Sequence, residues 1–334
     1  MKTNNSAETT HQTGWQQQLA NAFTSIKDLC DYLSLNPDDL PILSDGHLFP
    51  LKVPRCFADC METGNPNDPL LRQVFPVHQE QLITPGFIDD PVGDLSAIAE
   101  SGVIHKYHGR VLLITTAACA IHCRYCFRRN FPYSENQLTR QKQQQALSYI
   151  ANHTDITEVI LSGGDPLLLS DSRLLSLFNA LNQIPHLKRI RIHSRLPVVL
   201  PARITSSLVD MLSNSPKKIV MVLHANHANE LSQQVANSCQ QLKKHSITLL
   251  NQSVLLKGVN DSADPLCELS EKLFTLDILP YYLHQLDKAK GTAHFAVNDE
   301  TALALHHQIK SRLPGYLVPR LVKEISGKAY KISL

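Results

Sequence analysis

The chain has 334 residues, 43% of them hydrophobic and 19% charged, which is enough apolar mass for one large domain or two ordinary ones and rules out a disordered tail. Lysine and arginine number 32 against 30 acidic residues, and so near-neutral a balance argues against a nucleic-acid coat or a membrane-surface binder. No apolar run approaches the roughly 18–20 residues that span a bilayer, so neither membrane nor nucleic acid is an expected partner. The start, Met1-Lys2-Thr3-Asn4-Asn5-Ser6, is polar and lacks the apolar stretch of a secretory signal, so the expected location is cytoplasmic. Thiols stay reduced there. The eight cysteines (Cys30, Cys56, Cys60, Cys119, Cys123, Cys126, Cys239 and Cys267) therefore read as metal or redox chemistry rather than as disulfides.

Residues 1–100 read as an irregular, mostly helical N-terminal extension. Short helices are predicted at 15–26 and 54–62, the second opened by Pro54, and Pro/Gly turns punctuate the rest. A regular alternation follows. Apolar, β-branched runs at 110–116, 158–162, 188–193, 218–224, 247–256 and 278–284 predict strands. Helical patterns fill the gaps at 136–152, 172–183, 205–214, 230–244, 264–276 and 298–312. Six strand–helix units at about 30-residue spacing imply a parallel sheet.

Polar groups gather at almost every predicted strand end: a Cys/Arg loop after the first, Gly163-Gly164-Asp165 after the second, Ser194 and Arg195, His224, Asn251 and Gln252, then His284 and Asp287. A doubly wound sheet concentrates its site at one switch point, whereas a barrel draws on all its strand ends. The expected fold is therefore α/β, a partial (βα)6 barrel over 101–315, followed by a C-terminal segment at 316–334.

Cys119-Ala-Ile-His-Cys123-Arg-Tyr-Cys126 places three thiols in one loop after the first strand. Three unremarkable thiols in eight residues is the weakest reading. A structural zinc needs four ligands, and only His122, inside the wrap, offers a fourth. A four-iron four-sulfur cluster held by three cysteines leaves one iron open, and Tyr125 before the last cysteine suits that pattern.

With that loop, the sequence resembles radical S-adenosylmethionine (SAM) enzymes. His105-Lys-Tyr-His-Gly-Arg110, Cys123-Arg-Tyr-Cys-Phe-Arg-Arg129, Ser162-Gly-Gly-Asp-Pro166, Arg195-Leu-Pro-Val-Val199, Asn251-Gln-Ser-Val254 and Pro280-Tyr-Tyr282 resemble lysine 2,3-aminomutases, in the family order. Arg55 and Gly64-Asn-Pro-Asn-Asp-Pro69 resemble the branch that supplies β-lysine for modifying elongation factor P. The resemblance implies a 4Fe–4S cluster on Cys119, Cys123 and Cys126, with SAM and pyridoxal phosphate (PLP) as further cofactors. It implies SAM contacts from Tyr125, Ser162, Gly163, Gly164, Asp165, His224, Asn251 and Gln252. It implies PLP contacts from Lys106, Tyr107, Arg110 and Arg195, and a catalytic PLP lysine at Lys331, with Lys328 competing. L-lysine would bind Arg128 through its α-carboxylate and Asp287 and Glu324 through its ε-ammonium.

The implied reaction is a radical amino migration that converts L-lysine to β-lysine. Its partners would be the substrate and, indirectly, elongation factor P and its lysine ligase, with the oligomeric state open and a homodimer among the options. Three other readings stand beside it: a β-lysine-forming aminomutase unconnected with elongation factor P, another radical enzyme that uses the cluster without pyridoxal phosphate, and an iron–sulfur or zinc sensor that binds nucleic acid through Arg124, Arg128 and Arg129.

Overall fold

The computed structural model describes residues 14–42, 49–136 and 138–334; the polar start at 1–6 lies outside them. β1 (Ile98–Glu100), β2 (Val103–Tyr107) and β3 (Arg110–Thr116) form an antiparallel meander. Gly109, at φ +73°, makes its second turn. β4 (Glu158–Gly163), β5 (Arg189–Ser194), β6 (Lys218–Leu223), β7 (Thr248–Val254), β8 (Leu279–His284) and β9 (Arg320–Lys323) continue from β3 in parallel. β10 (Ile332–Ser333) turns back antiparallel on β9. The ten strands make one sheet in strict sequence order. An unreversed order is what a partial barrel requires and a doubly wound sheet lacks.

Between parallel strands run helices Arg140–Asn152, Asp171–Asn182, Ser206–Ser213, Gln233–Lys244, Ala263–Thr275 and Asp299–Arg312. Thr139, Ser170, Thr205, Ser232 and Asn298 each accept a first-turn backbone N–H, so hydroxyl or amide caps set where most of these helices start. On β5, Ile190 and Ile192 are buried, while Arg189, Arg191 and His193 alternate with them onto the half-buried lumen face.

Residues 14–100 share the barrel's core. Leu29, Val53, Phe57, Leu70 and Val74 belong to the same buried cluster as Val111, Leu161 and Ile190. Two expectations are corrected here. The predicted helix 15–26 is split into Trp15–Ala20 and Ile26–Tyr32, because Phe23 leaves the helix to exchange backbone hydrogen bonds with Val53 at 2.8 and 2.9 Å. The predicted helix 54–62 contracts to Arg55–Ala58. β1, β2, β9 and β10 were not legible as strands, being short and mixed in polarity.

Leu161 in β4 is fully buried. Leu161→Ala is expected to lower unfolding stability by about 2–5 kcal/mol, read from urea denaturation.

Candidate active site

The cysteine loop leaves the end of β3 and folds back over the end of β4. The Gly164 amide donates to the Thr116 carbonyl at 2.7 Å, and the Asp165 amide to the Ala118 carbonyl at 2.8 Å. A Cβ on Gly163 would lie 2.5 Å from the Thr116 oxygen, and one on Gly164 would lie 2.2 Å from the Ala118 oxygen. Both glycines therefore make room for the cysteine loop itself.

The Asp165 carboxylate accepts from Ser194 Oγ at 2.7 Å, the Arg195 amide at 2.8 Å, and the Leu167 and Leu196 amides, which joins the end of β4 to that of β5. Burial still pushes its pKa up to about 6, against those hydrogen bonds.

The N-terminal segment grips the loop from the other side. Glu80 pairs with Arg124 Nη2 at 2.5 Å and Arg129 Nη2 at 2.6 Å, with Glu80 and Arg124 buried and Arg129 half-buried. Lys52 Nζ donates to the Cys119 carbonyl at 2.9 Å. His122 turns its Nδ1 to the Pro50 carbonyl at 2.7 Å and stacks on Phe49, so it is occupied outside the cysteine wrap. Among the described residues no three Cys, His, Asp or Glu side chains converge as a single metal ion would require. A cubane cluster takes one thiolate per iron and has no such need.

Arg195 donates to Cys123 Sγ at 2.7 Å, Tyr125 Oη at 2.6 Å, Gln73 Oε1 at 2.7 Å and Glu230 Oε2 at 2.9 Å. Asn226 Nδ2 joins the same group through Gln73 and Tyr125. A guanidinium beside a thiolate offsets the cluster's negative charge.

A second constellation fills the lumen where the two ends of the sheet approach. Arg128 Nε donates to Asp94 Oδ2 at 2.7 Å, and Lys106 Nζ lies 2.5 Å from Asp94 Oδ1. Lys106 also donates to Glu324 Oε1 at 2.9 Å, and Glu324 pairs with Lys331. Lys331 is half-buried in this chain of charges, whereas Lys328 is exposed.

Residues 113–269 match the Radical SAM superfamily. The chain is 47% identical over 96% of its length to the L-lysine 2,3-aminomutase of Escherichia coli K12, covering 94% of that protein. It is 47% identical to the Haemophilus influenzae enzyme of the same name, over 95% of this chain and 94% of that one. Against the Clostridium subterminale enzyme the identity is 33%, over 94% of this chain and 76% of that one. The chain belongs to the lysine 2,3-aminomutase family. It is a radical SAM, PLP-dependent isomerase of that family, whose cofactors are a 4Fe–4S cluster, SAM and PLP.

The residues present suit those groups. Three thiols share one loop with a guanidinium beside them, and the lumen holds buried nitrogens, His193 Nε2, His284 Nε2 and Arg191 Nε, that lack partners among the described residues. His224 and Gln252 meet at 2.7 Å on the lumen face, and the His193 ring lies 5.9 Å from that of His224. Burial, then the charges of Arg195 and Arg128, pushes His224 down to about 3, and burial with Lys331 does the same for His284. The lining histidines are therefore neutral.

Not every expected residue lies where the family resemblance put it. Arg195 stands at the cysteine loop, apart from Lys106, Tyr107 and Arg110. Asn251 spends its amide on the Ala225 backbone, at 2.9 Å from the amide nitrogen and 3.1 Å from the carbonyl, so it braces the end of β6. Arg110 packs its guanidinium over the Tyr107 ring at 4.7 Å. Ser162 Oγ accepts from Arg128 Nη1 at 3.2 Å. Arg124, Arg128 and Arg129 are buried in ion pairs, which removes the basic face that a nucleic-acid reading needs. Asp94, Glu80, Gln73 and Glu230 were missed, since lone acidic or amide residues in an irregular segment or a helical turn carry no motif. Among the described residues no helix is long and apolar enough to cross a membrane.

The carboxyls facing the lumen divide unequally. Burial and the charge of Glu324 push Asp287 up to about 7. Burial also disfavours the charge on Glu324, but Lys331 and Lys106 outweigh it and pull Glu324 down to about 2.

Asp287 carries a proton in the fold that the unfolded chain releases near 3.8, so it lowers stability as pH rises from about 4 to about 7, in full above 7. That displacement corresponds to at most about 4 kcal/mol. Cofactor-free Asp287→Asn is therefore expected to melt higher than the parent at pH 8, by on the order of 5 °C, with the gap closed by pH 4 in calorimetric scans.

Proposed function

We propose that the chain converts L-lysine to β-lysine by moving an amino group from carbon 2 to carbon 3, and that this β-lysine serves the modification of elongation factor P. One observation carries the reaction: in a chain so similar to L-lysine 2,3-aminomutases, one lumen holds a guanidinium, Arg128, joined through a chain of charges to Glu324, with the buried Asp287 carboxyl within the field of the same charges. That arrangement suits a substrate with an α-carboxylate at one end and an ammonium at the other. The elongation factor P branch is supported by Arg55, by Gly64-Asn-Pro-Asn-Asp-Pro69, and by the higher identity to the Escherichia coli protein than to the Clostridium one.

When bound, the cluster with SAM supplies one-electron cleavage chemistry, and PLP supplies a π-system that stabilises a radical during migration. The protein's part is to hold and to exclude. Cys119, Cys123 and Cys126 hold the cluster, and Arg195 offsets its charge. Lys331 anchors PLP, and Lys106, Tyr107 and Arg110 present cations and a hydroxyl suited to its phosphate. Tyr125, Ser162, the Gly163-Gly164 turn, His224 and Gln252 would hold SAM. Asp165 and Asn251 act on that region through the strand ends they brace.

Arg128 receives the α-carboxylate through parallel N–H donors. Glu324 Oε2 holds the Lys331 ammonium before cofactor and substrate arrive, and the substrate's ε-ammonium takes that place afterwards. Asp287 then gives up its proton, because a second ammonium favours its charged form. The neutral histidines and the buried walls keep water from the reacting carbons.

Cluster-loaded, PLP-loaded protein incubated anaerobically with lysine, SAM and a reductant is expected to form β-lysine, and a fully loaded protein with no turnover would rule the reaction out. Lys331→Ala is expected to lose the visible absorbance of bound PLP while Lys328→Ala keeps it; the opposite pattern would assign Lys328.

For the cellular role, cells lacking their own aminomutase are supplied with this chain or its Cys126→Ala variant. Intact-mass analysis of elongation factor P should show the β-lysyl adduct only with the unaltered chain. β-Lysine without the adduct would point to an aminomutase unconnected with that factor.

A further inference from the structure

Asp94 is 2% exposed and stands between two cations on different elements, Arg128 from the cysteine loop and Lys106 from β2. Its backbone is held in turn: its amide donates to Asp90 Oδ1 at 2.8 Å, and the next amide donates to Asp90 Oδ2 at 2.9 Å. The preceding residue, Gly93, sits at φ +68°, and a Cβ there would lie 2.1 Å from Ser326 Oγ. The turn carrying Asp94 is thus packed against the C-terminal segment that carries Lys331.

Arg128 is oriented by what it has already given away. Nε goes to Asp94 and Nη1 to Ser162 Oγ, and Nη2 has no hydrogen-bond partner among the described residues. A guanidinium binds a carboxylate best through two parallel N–H groups. With Nε engaged, the pair that remains is the outer end of the fork, Nη2 with the second Nη1 hydrogen. Lys106 is equally constrained, with the Val92 carbonyl at 2.8 Å, Glu324 at 2.9 Å and Asp94 at 2.5 Å around its ammonium.

We propose that Asp94 is a positioning residue: holding Arg128 on one oxygen and Lys106 on the other, it sets which edge of Arg128 meets the substrate's α-carboxylate and how far that edge lies from the cofactor's phosphate. The proposal rests on the roles given above to Arg128 and Lys106. Both Asp94 oxygens are taken by these two cations, so its part is to act through them. An asparagine in its place keeps the shape but turns an N–H donor toward one of the two cations.

The test compares Asp94→Asn with the parent protein and with Asp94→Glu, which keeps the charge. The Asn variant is expected to raise the KM for lysine by tenfold or more while kcat falls less, and to weaken PLP by about tenfold in an absorbance titration. Its iron content should match the parent's, and the Glu variant should recover PLP affinity. If the Asn variant does not fold, Asp94→Ser provides the same comparison.

Values of KM and PLP affinity within twofold of a lysine-active parent overturn the proposal and leave the aminomutase reading standing. Losses that merely follow lost iron also overturn it, since they mark a structural role. A parent protein without lysine turnover overturns the reading, and this proposal with it.

Discussion

The architecture depends on an alternating row of buried charges, Arg128–Asp94–Lys106–Glu324–Lys331, that joins the two ends of the sheet. Ten strands follow one another without backbone pairing between the first and the last, so the barrel is open at a seam. Side chains bridge that seam where a ladder would otherwise run: Lys106 comes from β2, Glu324 follows directly on β9, and Asp94 precedes β1. Buried ion pairs add little net stability, because desolvation offsets most of the attraction. Their contribution here is arrangement. A carbonyl ladder would give the seam strength, whereas a row of charges gives it groups that can bind a carboxylate, a phosphate and an ammonium.

The cysteine loop is placed by a different means. Gly163 and Gly164 allow its backbone to lie on the end of β4, Asp165 ties that end to β5, and Glu80 neutralises Arg124 and Arg129 at its back. Residues 14–100 are therefore part of the site as much as of the core: Lys52 donates to the Cys119 carbonyl, the Gln73 carbonyl accepts from the Arg124 amide, and Glu80 accepts from the Arg124 guanidinium. The Arg195–Gln73–Glu230–Asn226 network then connects Cys123 to the ends of β5 and β6. Apart from Arg195 Nε, which has no partner among the described residues, the polar side-chain groups of this network are hydrogen-bonded, which favours the rigidity that a site holding three cofactors in register requires.

The protonation pattern follows from the same burial. Of the carboxyls in the lumen, Asp94 and Glu324 have cations beside them that overcome desolvation, and Asp287, without an ion pair, is the one whose charged form is disfavoured. The row of three cations and two carboxylates leaves one net positive charge when Asp287 is protonated, and ionisation of Asp287 removes it. His193, His224 and His284 are neutral for the simpler reason that burial disfavours imidazolium among neighbouring cations.

The amino-acid sequence by itself determined the βα rhythm, since strand and helix periodicities are local, and it determined the three-thiol loop, since its spacing is contiguous. The residue motifs then carried the family. It also marked Lys331, Arg128, Asp287 and Glu324, though only by their register within that resemblance. The tertiary structure alone decided between Lys331 and Lys328 as the lysine facing the lumen, moved Arg195 from the phosphate set to the cysteine loop, and turned Asn251 into a brace for β6. It alone brought Asp94, Glu80 and Gln73 to the site. These are residues of an irregular segment, about 30 to 160 positions from several of their partners, and nothing in local periodicity encodes contacts made at such separations.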